Sequence, residues 1–202
     1  MGRTPKVVAD RREQILDAAV RVFAEKGFDR ATNRDIARAA GITPGLIYHY
    51  FASKEELLRS AMERRSPLGL MRTIDTTMFD LDPEAMLRGL LGKLLEIAES
   101  EQFVSLMRVY LPEIIHNSRV APLGISIIGE ATSALERYLA RKMEEGVLRR
   151  ANSAFVTDYL LGGIMDLVLR RQILKDPSVV GYSHAQIVDG VIGTVLPGLL
   201  PR

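Results

Sequence analysis

A chain of 202 residues, 47% hydrophobic, carries enough apolar material for one large domain or for a small head on a larger body. The absence of Cys excludes a disulfide framework, a thiolate nucleophile and a Cys-ligated metal. No apolar run reaches the roughly 18 residues of a membrane span, and no apolar segment follows Arg3 and Lys6 as it would in a secretory leader, so a soluble, cytoplasmic protein is expected.

The net charge of +2 conceals an asymmetry, because residues 1–54 carry ten Lys/Arg against six Asp/Glu and residues 55–202 carry seventeen against nineteen. A basic front end on a slightly acidic remainder suits a polyanion at one end of the molecule. An ordinary solvated charge distribution accounts for the same count.

Residues 1–9 read as a flexible basic arm. From Asp10 to Lys26, Ile15, Ala18, Ala19, Val22 and Phe23 recur at helical spacing with one buried face. Gly27 supplies the positive φ that ends a helix, and Phe28 folds back onto the same small core. Thr32 with Asp35 three residues on is an acidic variant of the capping box. It starts a helix over Asn33–Ala40 whose inward residues are Ile36, Ala37 and Ala40. Gly41 permits a sharp turn and Ile42 plugs the angle. Thr43 is placed to cap a second short helix, with Pro44 at the first helical position, where its missing N–H costs nothing. Ile47 and Phe51, at i and i+4, share the buried face, which turns Gly45, Tyr48 and His49 outward. Three helices joined by this turn chemistry make a helix-turn-helix.

Ser53-Lys54-Glu55-Glu56 is a capping box for a further helix with Leu57, Leu58, Ala61 and Met62 on its apolar side, ended or kinked at Ser66-Pro67. Helices are predicted at 68–78, 83–99, 102–117, 122–145, 153–174 and 184–199. Their start signals are Asp82-Pro83, Asn152 and Ser183, and their breakers Pro112, Pro122, Gly146 and Asp176-Pro177. No alternating strand pattern extends beyond a few residues. The expected architecture is all-α: a helix-turn-helix DNA-binding domain over 1–52 and a larger helical regulatory and dimerisation domain over 53–202.

With those residues in place, the chain resembles the TetR family of bacterial transcriptional regulators. RREQILDAAVRVFAEKGFDRAT, DIARAAGIT, GLIYHYF and SKEELL, all between Arg12 and Leu58, follow the family pattern closely. The remainder matches only in its helical layout and length. The resemblance implies a homodimer that binds palindromic operator DNA and is released by a small molecule held in the body. Asn33 and Leu46 depart from the usual pattern and bear on which operator is read.

For DNA, Tyr48 and Lys54 suit phosphate oxygens, contacts that position a protein without reading sequence. Thr32 and Thr43 cap their helices and present N–H groups to phosphate, with Pro44 at the start of the recognition helix. Base reading falls to Arg34, Asn33, Gly45 and His49. Arg34 either grips guanine or pairs with a phosphate or with Asp35, and Tyr50 either packs inside the head or reaches a phosphate. For an apolar or amphipathic effector, Met71, Phe103, Met107, Tyr110, His116, Tyr159 and Met165 are candidate pocket residues, since Met and aromatic side chains line adaptable pockets. Most such residues are plain core, and His116 has a structural role as its alternative.

For assembly, Leu160, Gly163, Ile164, Leu167 and Val168 form one apolar stripe, and Ile187, Val188, Val191, Ile192 and Val195 another. The two stripes form either a four-helix interface with a second copy or part of the intrachain core. His49, His116 and His184 lie too far apart for metal-ligand spacing, and no phosphate-cradling loop or nucleophile elbow is present. No enzyme, metal or cofactor is expected, and no membrane partner. An alternative within the same fold is a nucleoid-associated or cell-division factor whose body recognises a protein.

Overall fold

The computed structural model describes residues 5–74 and 78–201. All regular structure among them is helical. The elements are α1 (Pro5–Lys26), α2 (Asn33–Ala39), α3 (Pro44–Tyr50), α4 (Lys54–Arg65), α5 (Leu68–Met71), α6 (Pro83–Ala98), α7 (Glu101–His116), α8 (Ala121–Glu144), α9 (Ser153–Val168) and α10 (His184–Val195). No helix among the described residues is long and apolar enough to cross a membrane. The chain forms two compact units, Met1–Arg65 with Ser105–Ile125, and Ser66–Val104 with Ser126–Arg202. The helix from Lys54 therefore packs with the head, as does the α7–α8 corner.

In the first unit, α1 supplies Ile15, Leu16, Ala18, Ala19, Val22 and Phe23 to a core closed by Ile36, Ala37, Ile47, Phe51, Leu57 and Leu58, all buried. Phe28 folds back as expected, its ring centroid 5.2 Å from that of Phe23. Each large apolar side chain buried here contributes about 1.5–3 kcal/mol, which lets helices as short as α2 and α3 persist. The arm expected over residues 1–9 is contradicted from Pro5 onward, where the chain is helical. Helix begins at Pro5, where proline in the first turn loses no intrahelical bond, and residues 1–4 lie outside the described ones.

The second unit is built on α6, whose Leu87, Leu91, Leu94 and Leu95 are buried, with α9 and α10 packed on it. Local signals set most of its helix starts. The Asp82 carboxylate accepts from the Ala85 N–H at 3.1 Å and the Asn152 side-chain oxygen from the Phe155 N–H at 3.1 Å. Ser183 and Gln186 form a full capping box, with reciprocal bonds of 3.2 and 2.9 Å. A half-buried polar group closes the α9–α10 connection. The Arg171 Nε lies 2.7 Å from one Glu99 oxygen and the His184 Nε2 2.9 Å from the other, while the same guanidinium donates to the Tyr182 carbonyl.

Several predicted boundaries move. The helix expected over 68–78 stops at Met71, where β-branched Thr73 and Ile74 follow and the backbone tightens into turns of three residues. Pro112 does not break α7, which runs through it with the proline on an exposed face. The helix expected over 153–174 is regular only to Val168 and then widens into a π turn over Leu169–Ile173. The last helix gives way to a tighter turn at Leu196, next to Pro197.

Candidate nucleic-acid interface

Helix α1 holds α2 at both ends. At its start, the Thr32 hydroxyl accepts from the Asp35 N–H at 3.2 Å, and the Asp35 carboxylate accepts from the Thr32 N–H at 3.2 Å, so the predicted capping box is formed. The Lys26 ammonium of α1 lies 2.6 Å from the same carboxylate. That bond, followed by those from Thr32, holds the Asp35 carboxyl down at about 2. Asp35 is thus committed to Lys26 and Thr32, and Arg34 stands exposed beside it. At the far end, Gln14 of α1 donates to the Ala40 carbonyl at 2.7 Å and Arg21 to the Ala39 carbonyl at 3.4 Å, occupying acceptors that a helix C-terminus leaves open.

The turn into α3 is a Schellman motif. The Ile42 N–H reaches the Ala37 carbonyl at 3.0 Å, and the Gly41 N–H the Arg38 carbonyl at 3.2 Å. It needs the left-handed backbone that Gly41 adopts at φ 62°. Pro44 takes the first position of α3 as predicted, but the Thr43 side chain makes no capping bond, which corrects its expected role. With the proline lacking an N–H, the Leu46 N–H turns back to the Thr43 carbonyl at 3.0 Å. Ile47 and Phe51 are buried, and Thr43, Pro44, Gly45, Tyr48 and His49 are exposed on the other side, Tyr48 by 63%.

Tyr50 is half-buried, its ring edge-on to His49 at 5.2 Å between centroids. The Arg12 guanidinium sits 4.4 Å over the Phe51 ring and donates to the Tyr50 carbonyl at 3.3 Å and to the Ser60 hydroxyl at 3.2 Å. Sequence reasoning missed Arg12, Gln14 and Lys26 as the residues that tie α2 and the end of α3 to α1. Their only signal was a polar residue recurring on an otherwise apolar-faced helix. Asn33 is half-buried, with its side-chain oxygen enclosed.

Lys54 has internal partners within the head. Its ammonium donates to the carbonyls of Phe28 at 2.8 Å, Ala31 at 2.9 Å and Asp29 at 3.1 Å, and it stands 4.9 Å from the Phe28 ring centroid. The box at the head of α4 is also shifted. The Glu56 N–H bonds the Ser53 hydroxyl at 3.1 Å, but the Glu56 carboxylate accepts from the Ala52 N–H at 2.6 Å, one residue earlier than predicted. The other side of the Phe28–Asp29 loop is held from the α7–α8 corner. Glu113 accepts from the Phe28 N–H at 3.1 Å, and Asn117 and Arg119 donate to the Asp29 carboxylate at 3.0 and 3.1 Å.

Two short helices at a Schellman turn, with one face buried and the other offering hydroxyl, guanidinium and imidazole groups, form a surface of the kind that enters a major groove. Residues 15–61 match the profile of the bacterial regulatory proteins of the tetR family. The regulator BetI of Rhizobium meliloti is 46% identical over 70 residues, a match covering only about a third of either protein. The repressor KstR2 of Rhodococcus jostii is 37% identical over 141 residues, 68% of this chain and 65% of that one. The chain belongs to the TetR family. The fold agrees throughout. The Stenotrophomonas maltophilia repressor SmeT, solved with triclosan, superposes with a TM-score of 0.78 over 96% of this chain and 93% of that one, at 24% identity.

In this TetR-family chain the candidate effector residues fall in unlike places. Met71 and Phe103 are buried in the second unit, where Met165 is half-buried. Tyr110 is buried in the first, where Met107 is half-buried. His116 is exposed at the end of α7 and Tyr159 is 66% exposed on α9, so neither is enclosed as a pocket residue must be. Asn117, by contrast, is buried and spent on Asp29 and Glu113. The Tyr110 hydroxyl is enclosed without a hydrogen-bond partner, and burial pushes its pKa up. It lies against Gly124 of α8, where a Cβ would collide with it.

The two assembly stripes are mostly the unit's own core. Leu160, Ile164, Val168, Ile187, Val188 and Ile192 are buried within the single chain, because these faces turn toward α6. What stays open is an adjoining groove between α9 and α10, about 690 Å³ in volume and lined among others by Tyr159, Gly162, Gly163, Leu167, Ile187, Gly190, Val191 and Val195. Phe155, one turn before Tyr159, is 74% exposed.

Proposed function

We propose that this chain is a DNA-binding transcriptional repressor, acting as a homodimer on a palindromic operator and released by a small apolar or amphipathic effector. The exposed face of α2 and α3 carries the reading. Thr32, Arg34, Thr43, Tyr48 and His49 are outward while Ile36, Ala37 and Ile47 lock the same helices to α1. Hydroxyl and phenol groups there suit phosphate, and Arg34, unpaired with Asp35, suits a guanine edge, a contact worth about 1–3 kcal/mol of discrimination. Gly45 admits close backbone approach to a base.

Dimerisation is supported by the glycine-floored groove between α9 and α10 and by the exposed Phe155 and Tyr159 beside it. A second copy would cover these residues in a four-helix contact, rather than the buried stripe itself. The body, from residue 53 onward, would hold the effector. A repressor of the same fold is known with triclosan bound, which favours a largely apolar molecule with one polar group. Release requires a coupling of about 1–3 kcal/mol between effector and operator, and by reciprocity DNA weakens effector binding by the same factor.

Selection of bound fragments from sheared genomic or random duplex DNA tests the reading. The expected result is enrichment of an inverted repeat whose half-site centres lie about 34–36 Å apart or slightly more. An unenriched pool, or single half-sites bound by a protein that sediments as a monomer, would refute it.

A further inference from the structure

We propose that the segment 174–182, which joins α9 to α10, is a preformed arm of the dimer interface, covered by a second copy of this chain. The proposal rests on the homodimer reading above and adds to it a surface that the two helices do not supply.

The segment starts where α9 widens into its π turn, an irregularity that frequently marks a functional site. The turn delivers two successive arginines, and both are spent on fixing the backbone that follows. Arg170 donates to the Asp176 carboxylate at 2.8 and 2.6 Å and to the Ser178 hydroxyl at 2.8 Å. The other Asp176 oxygen accepts from the Ser178 N–H at 2.9 Å and from its hydroxyl at 2.7 Å. The Ser178 bonds, followed by that of Arg170, hold the Asp176 carboxyl down at about 2. Arg171 lies 2.7 Å from Glu99 and donates to the Tyr182 carbonyl. Lys175 takes φ 54°, a conformation that L-residues other than Asn and Asp seldom adopt and that persists where the surroundings over-determine it.

A loop built in this way would ordinarily face water with polar side chains. Val179 is buried as its anchor, but Leu174, Val180 and Tyr182 stand 64%, 51% and 48% exposed. Single exposed apolar side chains are common, yet these continue a larger patch. Tyr182 lines the groove between α9 and α10 together with Tyr159. With Phe155 and Tyr159, it leaves about 300–450 Å² of aromatic side chain uncovered. A stable dimer covers about 800 Å² on each partner, so the rings supply roughly half of that area, and Leu174 and Val180 extend it. The patch carries both projecting rings and a glycine-floored groove, and a two-fold pair needs both on one surface. Because the arm is ordered beforehand, covering it costs little conformational entropy.

The chain contains no Trp, so Tyr182→Trp places a single reporter ring in the arm while keeping its apolar surface. Its emission is read as dilution takes the full-length protein through dissociation, followed in parallel by sedimentation. The expected result is a blue-shifted emission in the dimer that moves to the red as monomer forms. The second variant, Leu174→Ser with Val180→Ser, alters only exposed side chains and should keep the helix content seen by circular dichroism. It is expected to weaken the dimer by about tenfold or more.

A ring that stays water-exposed in the dimer would overturn the proposal, leaving the arm open to another partner. A folded double variant that dimerises as tightly as wild type would overturn it as well. Should the double variant not fold, the reporter decides alone. Failure of the homodimer reading looks different, because wild type would then sediment as a monomer at every concentration and the arm would fall with it.

Discussion

Removing one buried oxygen should make this protein more stable. Tyr110 is 3% exposed, its hydroxyl has no hydrogen-bond partner, and burial alone raises its pKa. An enclosed hydroxyl without a partner costs about 1–3 kcal/mol relative to water. Tyr110→Phe abolishes that cost while leaving the ring packed, so a gain of about 1 kcal/mol is expected, equivalent to about 2–4 °C in a chain of this size. Urea denaturation should show a raised midpoint and an unchanged slope, since the surface exposed on unfolding is the same.

Gly124 supplies the control. An Ala Cβ there would run into the Tyr110 hydroxyl, whereas the next ring atom, Cζ, lies 3.3 Å away. In the wild type, overpacking of about 1–3 kcal/mol offsets the roughly 1 kcal/mol by which Ala improves a helix over Gly. In the Tyr110→Phe background most of the collision is gone, and Gly124→Ala should be neutral or stabilising. The two changes must therefore be coupled. Additive effects, or a Tyr110→Phe variant less stable than wild type by 1 kcal/mol or more, would mean that the hydroxyl has a partner and that the reasoning is wrong.

Three further outcomes follow from the head. Gly41→Val places a β-branched residue at φ 62°, a conformation that costs L-residues about 1–2 kcal/mol even before branching, so chemical denaturation should show at least that loss together with lost DNA binding. Asp35, held at about 2 against an ordinary 3.8, contributes stability that is fully present above pH 3.8 and is lost as pH falls toward 2. Asp35→Asn should flatten the acid side of the stability profile in that window. Arg34→Ala should relax the preference at one base pair in each half-site, read from repeated selection; an unchanged preference would remove Arg34 from base reading.

How much of this was legible in the sequence depended on the range of the interaction. The head was read closely because its determinants are local: Thr32 with Asp35, Gly41 at the turn, Pro44 at the first position of α3, and Ile47 with Phe51 one turn apart. The internal partners of Lys54 were not legible, because they lie on a loop more than twenty residues earlier, and only the folded backbone turns their carbonyls toward it. The α9 and α10 stripes had the correct period, but a period does not say what a stripe meets. Leu160, Ile164 and Val168 meet α6 in their own chain, and the glycines and aromatics beside them remain uncovered. His116, among apolar neighbours, is a pocket candidate by sequence, yet it lies just before the chain turns out of α7 and is exposed. Its neighbour Asn117, one residue on, is the buried one.

The same distinction bears on the charge of the head, where the sequence count overstates what DNA can use. Of the ten Lys/Arg in residues 1–54, Arg11 donates to Gln14, Arg12 to Tyr50 and Ser60, Arg21 to Ala39, Arg30 to Lys26, Lys26 to Asp35 and Lys54 to its three carbonyls. Arg34 and Arg38 are exposed on α2, and Arg3 and Lys6 belong to the N-terminal stretch. Phosphates met by hydroxyls, phenols or backbone N–H groups release few counterions, since the donor brings no full charge. With about two to four usable cations per head, a dimer neutralises about four to eight phosphates, and log K should fall with log salt at a slope of about −4 to −7. If all ten cations of each head acted on DNA, the slope would be near −18 by the same relation. Fluorescence titration of the selected operator over a range of salt decides between them. A slope steeper than about −10 would show that the internal bonds of Arg12, Lys26 and Lys54 open when DNA arrives.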